Sequence, residues 1–398
     1  MRIVDVCAFY TPYGGGVKTY LERKLEVAAA HGHEMILLAP GREDGWNEVR
    51  PGAVIATLRN PELPVDRRYH YFADEEALHA ALDHWRPDHI EASSPWSSAT
   101  LVGRWQGAAT RSLVMHADPL ASYAYRWFGK VAERQTIDRW FGWFWRHLRG
   151  LDGMYDLVVS ANHSLSERLR EGGLRNVATV PMGCEPNTFS PDLRDEPLRE
   201  ELLRRLGLPR GATLLLGLGR FAAEKRWAMV MRAVEQASAT RPVGLLLVGD
   251  GNARPKLEKL AANCRHVTVG NPVRDRATLA TLLASADALV HGCESETFCM
   301  AAAEARASGL PLIVPDFGGA ASHYLAGAGQ RYVAADRQSL SEAIVRFVDG
   351  GPTRARAMAA ANTVTRTMDD HFAELFARYR QLGGPVPAEI LPRVAALA

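Results

Sequence analysis

Apolar positions near the start of the chain come as two short runs without polar alternation, Arg2–Ala8 and Glu34–Pro40 (EMILLAP). A helical stretch, Val17–His31, lies between them and is closed by Gly32. A strand without polar alternation is buried on both faces, and a strand–helix–strand unit predicts a parallel sheet. Further runs at 88–93, 112–118, 156–161 and 177–183 are mostly separated by helical patterns. A Pro- and Asp-rich connector, 186–197, interrupts the rhythm, which restarts at 213–221, 244–251, 266–270, 287–292 and 310–316. The pattern predicts an α/β protein of two doubly wound, Rossmann-like halves, residues 1–185 and 186–365, facing a cleft. A final amphipathic helix over 368–382 carries Phe372, Leu375, Phe376 and Tyr379 at helical spacing. Residues 366–398 are therefore expected to form a helix and tail that pack back on the N-terminal half.

Composition narrows the class. With 398 residues, 47% of them hydrophobic, the chain can build large cores. A net charge of +2 gives no global signal for nucleic acid. The five cysteines form no CxxC pair and fit a reducing compartment. The N-terminus reads as a strand rather than a signal peptide, and no apolar run is long enough for a membrane span. The expected location is cytoplasmic, with any membrane contact peripheral and at the inner face.

The candidate chemistry begins in CESETFCMAAAEARASG, residues 293–309. A strand at 287–292 precedes it, and a helix is expected from Thr297 to Gly309. Glu296 then lies just before the helix and Glu304 in its third turn. Eight residues rise about 12 Å and differ by roughly 80° in azimuth, so both carboxylates can face one groove. The helix start offers the N–H groups of Phe298, Cys299 and Met300 to an anion. Such a groove suits two hydroxyl-bearing sugars with phosphate between them. Elsewhere, Gly14, Gly15 and Gly16 follow the first strand and permit close backbone approach to a phosphate or acceptor. His116 follows an apolar run and should project at the carboxyl edge of the first sheet. Asp118 could orient His116, assist an acceptor or cap the next helix.

Taken in order, YGGGVKTYL (13–21), HAD (116–118), GRFAAEKRW (219–227), LLVGDGNARPKLEKL (246–260) and the Glu296–Glu304 segment resemble the retaining glycosyltransferases of the GT-B fold, family 4. The resemblance spans essentially the whole chain. It implies a hexosyltransferase that uses a nucleotide diphosphate sugar, GDP- or UDP-linked, as donor substrate and retains the anomeric configuration. Glu296 would hold donor-sugar hydroxyls and Glu304 the ribose hydroxyls. Phe298, Cys299 and Met300 would give backbone amides, and Gly15 and Gly16 would border the donor. Arg220 and Lys225, converging on the diphosphate, would neutralise the leaving group. His116 would face the transferred sugar. The chain contains no Asp-x-Asp, so these cations and helix N-termini would replace a divalent metal. No cofactor is expected.

Residues 125–150 (YRWFGKVAERQTIDRWFGWFWRHLRG) stand apart. Six basic and two acidic residues give the segment +4, and four of the chain's nine tryptophans lie in it. Arg126, Lys130 and Arg134 recur at helical spacing. One reading is a helix docking on anionic lipid, which would make the acceptor a lipid or lipid-linked glycan. The other is a core helix with snorkelling arginines. Rival functions are a sugar-nucleotide epimerase or hydrolase on the same fold, or a non-catalytic nucleotide-sugar-binding protein.

Overall fold

The computed structural model describes residues 1–11, 16–64, 67, 69–129, 131–363 and 366–383. Gly14, Gly15, Lys130 and the tail beyond Gly383 lie outside the described residues.

The first half contains strands β1 Arg2–Cys7, β2 Glu34–Gly41, β3 Gly45–Arg50, β4 Ala53–Arg59, β5 His89–Ser93, β6 Thr110–Met115, β7 Leu157–Ser160 and β8 Val177–Thr179. The second contains β9 Thr213–Leu218, β10 Val243–Val248, β11 Val267–Gly270, β12 Ala288–Val290, β13 Leu312–Pro315 and β14 Gln330–Tyr332. Among the described residues these make two sheets, ordered β3-β4-β2-β1-β5-β6-β7-β8 and β11-β10-β9-β12-β13-β14. All pairings are parallel except β3 with β4. The runs of Ile, Val and Leu explain this: β1 and β5 are buried along almost their whole length, as strands covered by helices on both faces must be.

The strand order locates the chemistry. In each sheet the winding reverses beside one central strand, between β1 and β5 in the first and between β9 and β12 in the second. The crevice outside the carboxyl ends of such a strand pair is where a doubly wound sheet binds its ligand. The loops after β9 and β12 carry Arg220–Lys225 and Cys293–Cys299.

The helix Met368–Leu382 starts with a reciprocal capping box, Thr367 with Asp370. Phe372, Leu375, Phe376 and Tyr379 are buried in one cluster with Ile3, Leu21 and Leu37. Full burial of each apolar side chain stabilises by about 1.5–3 kcal/mol. Arg23 donates to Asp369, and Tyr20 Oη lies 3.0 Å from His371 Nε2. Residues 368–382 thus belong to the packing of the first sheet, not the second.

Two expectations need correction. Residues 125–150 are not one helix. A π-helical turn, Leu120–Ala124, runs into Tyr125–Phe128, the chain is extended at Glu133, and helices resume at Arg134–Trp140 and Gly142–Asp152. The break stops Arg126 and Arg134 from sharing a helix face. The predicted helix over 297–309 spans only Met300–Ala307, because Cys299 takes a left-handed conformation, φ 69°.

Candidate active site

The loop after β12 is the centre of the site, and two close backbone approaches shape it. A Cβ on Gly292 would lie 2.6 Å from the Lys225 carbonyl oxygen. A Cβ on Gly319 would lie 2.7 Å from Phe298 N, and Gly319 N–H donates to the Glu296 carbonyl at 2.7 Å. Only glycine admits these contacts. They press the loops after β9 and β13 onto Cys293–Cys299.

Glu296 is thereby carried to Lys225, and the two form a direct ion pair. His291, buried at the end of β12, places Nε2 3.2 Å from the same Glu296 Oε1, with Trp227 edge-on at 5.9 Å. Burial alone would raise the Glu296 carboxyl. The Lys225 ammonium and His291 outweigh it and hold the group well below the usual carboxylate range. Burial would likewise lower Lys225, but Glu296 carries it above its ordinary value. Both charges therefore persist at neutral pH in a half-buried pair, where interactions with a further anion are screened less than at the open surface.

Arg226 and Glu294 form a second pair beside the first, with Arg226 Nε 2.8 Å from Glu294 Oε2. Sequence reasoning missed it. Its signal is two adjacent cations, Lys225 and Arg226, facing two carboxylates at alternate positions of an extended loop, Glu294 and Glu296. Arg220 does not join Lys225: it is 70% exposed and pairs with Glu224 at 2.8 Å. The convergence expected from their spacing is absent here because the turn at Ala223–Lys225 points Lys225 inward to Glu296.

Glu304 lies in the second helical turn rather than the third, and it is buried. Its Oε1 accepts from Arg276 Nη2 at 2.7 Å, and Arg276 Nε donates to Glu185 at 2.7 Å while the guanidinium lies over Phe189. Burial raises the Glu304 carboxyl and Arg276 opposes the shift. Nothing in the sequence singles out Arg276. Because the helix starts at Met300 rather than Thr297, a non-helical loop separates Glu296 from it, and the azimuth reasoning for the two glutamates does not hold. Phe298 is buried, and its carbonyl accepts from His323 Nε2 at 2.7 Å. Phe298 and Cys299 amides belong to the loop before the helix, and Met300 opens it.

His116 follows β6 at the carboxyl edge of the first sheet, as its apolar run predicts. Burial pushes its ring down to about 4, with Asp5 opposing and Lys24 assisting, so it is neutral at physiological pH. Asp118 caps the next turn through Ala121 N–H at 3.0 Å and pairs with Arg168 at 2.5 Å. Of its three expected roles, these contacts match the cap. Gly16 opens the helix after β1; Gly15 lies outside the described residues.

The two halves meet at this point. Thr297 Oγ1 donates to the His116 carbonyl at 2.9 Å, Asn162 Nδ2 donates to the Thr297 carbonyl, and Arg134 stacks on Phe317 at 3.9 Å. The cavity between them, bounded by Asp118, Arg134, Asn162, Glu296 and Phe317, is about 40 Å³.

One metal-like grouping occurs among the described residues: His291, Glu296 and Cys299 each bring a ligand atom within 4.8 Å of the others. The donor set fits a metal poorly. Lys225 already occupies the carboxylate, and burial holds the Cys299 thiol far above its ordinary value, hence protonated.

Comparison with known proteins matches this arrangement to a family. Residues 199–364 match the model of glycosyl transferases group 1, and residues 14–188 that of glycosyltransferase family 4. A GDP-mannose-dependent alpha-(1-6)-phosphatidylinositol dimannoside mannosyltransferase of Mycobacterium tuberculosis is 30% identical over 320 residues, 79% of each chain. A GDP-mannose-dependent alpha-mannosyltransferase of Corynebacterium glutamicum is 26% identical over 80% of this chain and 73% of its own. Among solved structures, sucrose-phosphate synthase from Thermosynechococcus elongatus superimposes with a TM-score of 0.71 at 20% identity, over 96% of this chain and 98% of that one. HepE of Anabaena, in complex with UDP-glucose, gives 0.65 at 16% identity over 95% and 100%. The chain belongs to the group 1 glycosyltransferases of the GT-B type.

Proposed function

We propose that this glycosyltransferase moves mannose from GDP-mannose, with retention and without a metal, to a hydroxyl of a glycolipid or lipid-linked glycan. The observation that carries the reading is the half-buried Lys225–Glu296 pair with the buried His291, at the switch point of the second sheet and opposite His116. The two relatives described above, by their names GDP-mannose-dependent, support the choice of donor.

In this reading Glu296 accepts hydrogen bonds from donor-sugar hydroxyls, and Glu304 from the ribose once Arg276 gives way. The C1–O bond to the diphosphate breaks as the acceptor oxygen bonds C1 on the same face. The acceptor proton passes to the departing phosphate oxygen. Negative charge grows on that leaving group, and Lys225 neutralises it in the transition state. Arg220 swings from Glu224 to the diphosphate when donor binds. The two expected partners, nucleotide sugar and acceptor, enter from opposite halves of the cleft.

Exposed aromatics support a lipid acceptor. Tyr123, Trp127, Trp140 and Trp143 are all more than half exposed, with Tyr123 on Trp127 at 5.6 Å and Phe128 on Trp140 at 5.8 Å. Arg126, Arg139 and Arg146 lie in the same segment, whereas Arg134 and Arg149 are committed to Phe317 and the Gly172 carbonyl. Among the described residues no helix is long and apolar enough to cross a membrane. The reading is peripheral docking on anionic lipid at the membrane face.

A thermal-shift panel of GDP, UDP and ADP with their sugars tests the donor, since a ligand bound only by the native state raises the melting temperature. GDP-mannose should raise it most, with and without EDTA. A larger shift with a UDP- or ADP-sugar, or a shift that EDTA abolishes, would contradict the proposal.

A further inference from the structure

His116 ends a buried hydrogen-bonded chain that the reaction as described does not use. Its Nε2 lies 3.2 Å from Ser93 Oγ, and Ser93 Oγ lies 3.0 Å from Asp5 Oδ1. Asp5 Oδ2 accepts from Lys24 Nζ at 2.8 Å, and Lys24 also pairs with Glu91, to which Tyr379 Oη donates. Asp5, Lys24, Glu91 and Ser93 are 0% exposed. The strand register brings them together: Asp5 opposes Glu91 and Cys7 opposes Ser93, so the alternation of β1 and β5 sets both pairs on one face beneath Lys24.

Proton counting along this chain has one solution. An Asp5 carboxylate held by an ammonium only accepts, so the single Ser93 hydroxyl proton points to Asp5. The Ser93 oxygen is then an acceptor towards His116. The neighbouring Tyr20 hydroxyl, whose ring is edge-on to His116 at 5.0 Å, is turned to His371 instead. Among the described residues no hydrogen bond engages His116 Nδ1.

We infer that Asp5 and Ser93 are positioning residues that fix His116 as the Nε2–H tautomer and present Nδ1 as a bare acceptor for a substrate hydroxyl. The inference rests on the reading that sets His116 beside the transferred sugar. Burial, which keeps the ring neutral, agrees with it.

The test uses the full chain labelled with nitrogen-15 at histidine, with the His116 signals assigned by their loss in His116→Asn. Nitrogen–proton correlation at neutral pH should show Nε2 protonated and Nδ1 bare in the wild type and in Ser93→Thr, which keeps the hydroxyl. Ser93→Ala should show a mixture of tautomers. Its turnover should fall by about fivefold, the worth of one lost hydrogen bond, with KM for the donor little changed and Ser93→Thr restoring the rate. A wild-type ring protonated on Nδ1, or on both nitrogens, overturns the inference whatever the activity. So does a Ser93→Ala ring with an unchanged tautomer. A released tautomer with unchanged turnover upholds the positioning and overturns instead the place of His116 in transfer.

Discussion

Acidification should destabilise the first half of the molecule, and the slope follows from its buried ionisable groups. His33 and His116 are pushed down to about 4 and His371 to about 3, in each case chiefly by burial. Burial lowers His89 as well, which adds to the same slope. His33, His116 and His371 stay neutral in the folded chain at pH 5, whereas an unfolded histidine takes a proton below about pH 6.5. The unfolded state then binds more protons, so stability falls as pH falls. Glu91 works the other way. Burial and then Asp5 raise it to about 7 against Lys24 and Tyr379, so the folded state takes up this proton first and gains stability on acidification. His33, His116 and His371 less the Glu91 carboxyl leave a net uptake of at least about two protons on unfolding near pH 5.5. At about 1.4 kcal/mol per proton per pH unit, and with Glu91 acting over the wider window, about 3 kcal/mol is lost between pH 7 and pH 5. For a unit of this size that lowers the melting midpoint by about 6–12 °C. Melting followed by circular dichroism at constant ionic strength measures it. Glu91→Gln, which removes the opposing proton, should steepen the slope to about three protons. A midpoint that holds or rises towards pH 5 would refute the reasoning.

Lys225→Met should lower turnover at saturating donor by about a hundredfold or more, the usual cost of losing a charge partner at the leaving group; near-normal steady-state rates would contradict the role. Arg276→Ala frees the Glu304 carboxylate, so GDP affinity measured by calorimetry should hold or rise while Glu304→Ala loses it, and weaker GDP binding in Arg276→Ala would count against the ribose assignment. Replacing Trp127, Trp140 and Trp143 with serine should remove the salt-resistant part of binding to anionic vesicles in a sedimentation assay and leave only the part that about 0.5 M salt screens. Equal binding by this variant and the wild type at high salt would place the lipid contact elsewhere.

Most of the fold was legible because parallel strands buried on both faces leave unbroken apolar runs, as at Met35–Ala39 and Leu214–Leu218. The helix Met368–Leu382 was legible to the residue from its apolar stripe, and the Thr367–Asp370 cap seen in the structure agrees with it. The hairpin of β3 and β4 was not: β3 is exposed at every position and so carries no alternation to read. The three-residue strand β14 is too short for any period. At the site, residue types were legible and their partners were not. Glu296 and Lys225 were singled out for a donor, but their mutual pairing depends on how closely Gly292 and Gly319 let three loops approach. The break at Cys299 escaped notice because a left-handed non-glycine residue has no compositional mark. The charge pattern of residues 125–150 suggested one helical face, and only the extended Glu133 shows that Arg134 serves the cleft instead.

The central claim is retaining mannosyl transfer from GDP-mannose. Its most direct test incubates the purified protein with GDP-mannose and a phosphatidylinositol mannoside acceptor, followed by proton NMR of the product's new anomeric signal. The account predicts one added mannose in the α configuration, formed in the presence of EDTA and absent with Glu296→Gln. A β-linked product, free mannose without transfer, or transfer undiminished in Glu296→Gln would contradict it.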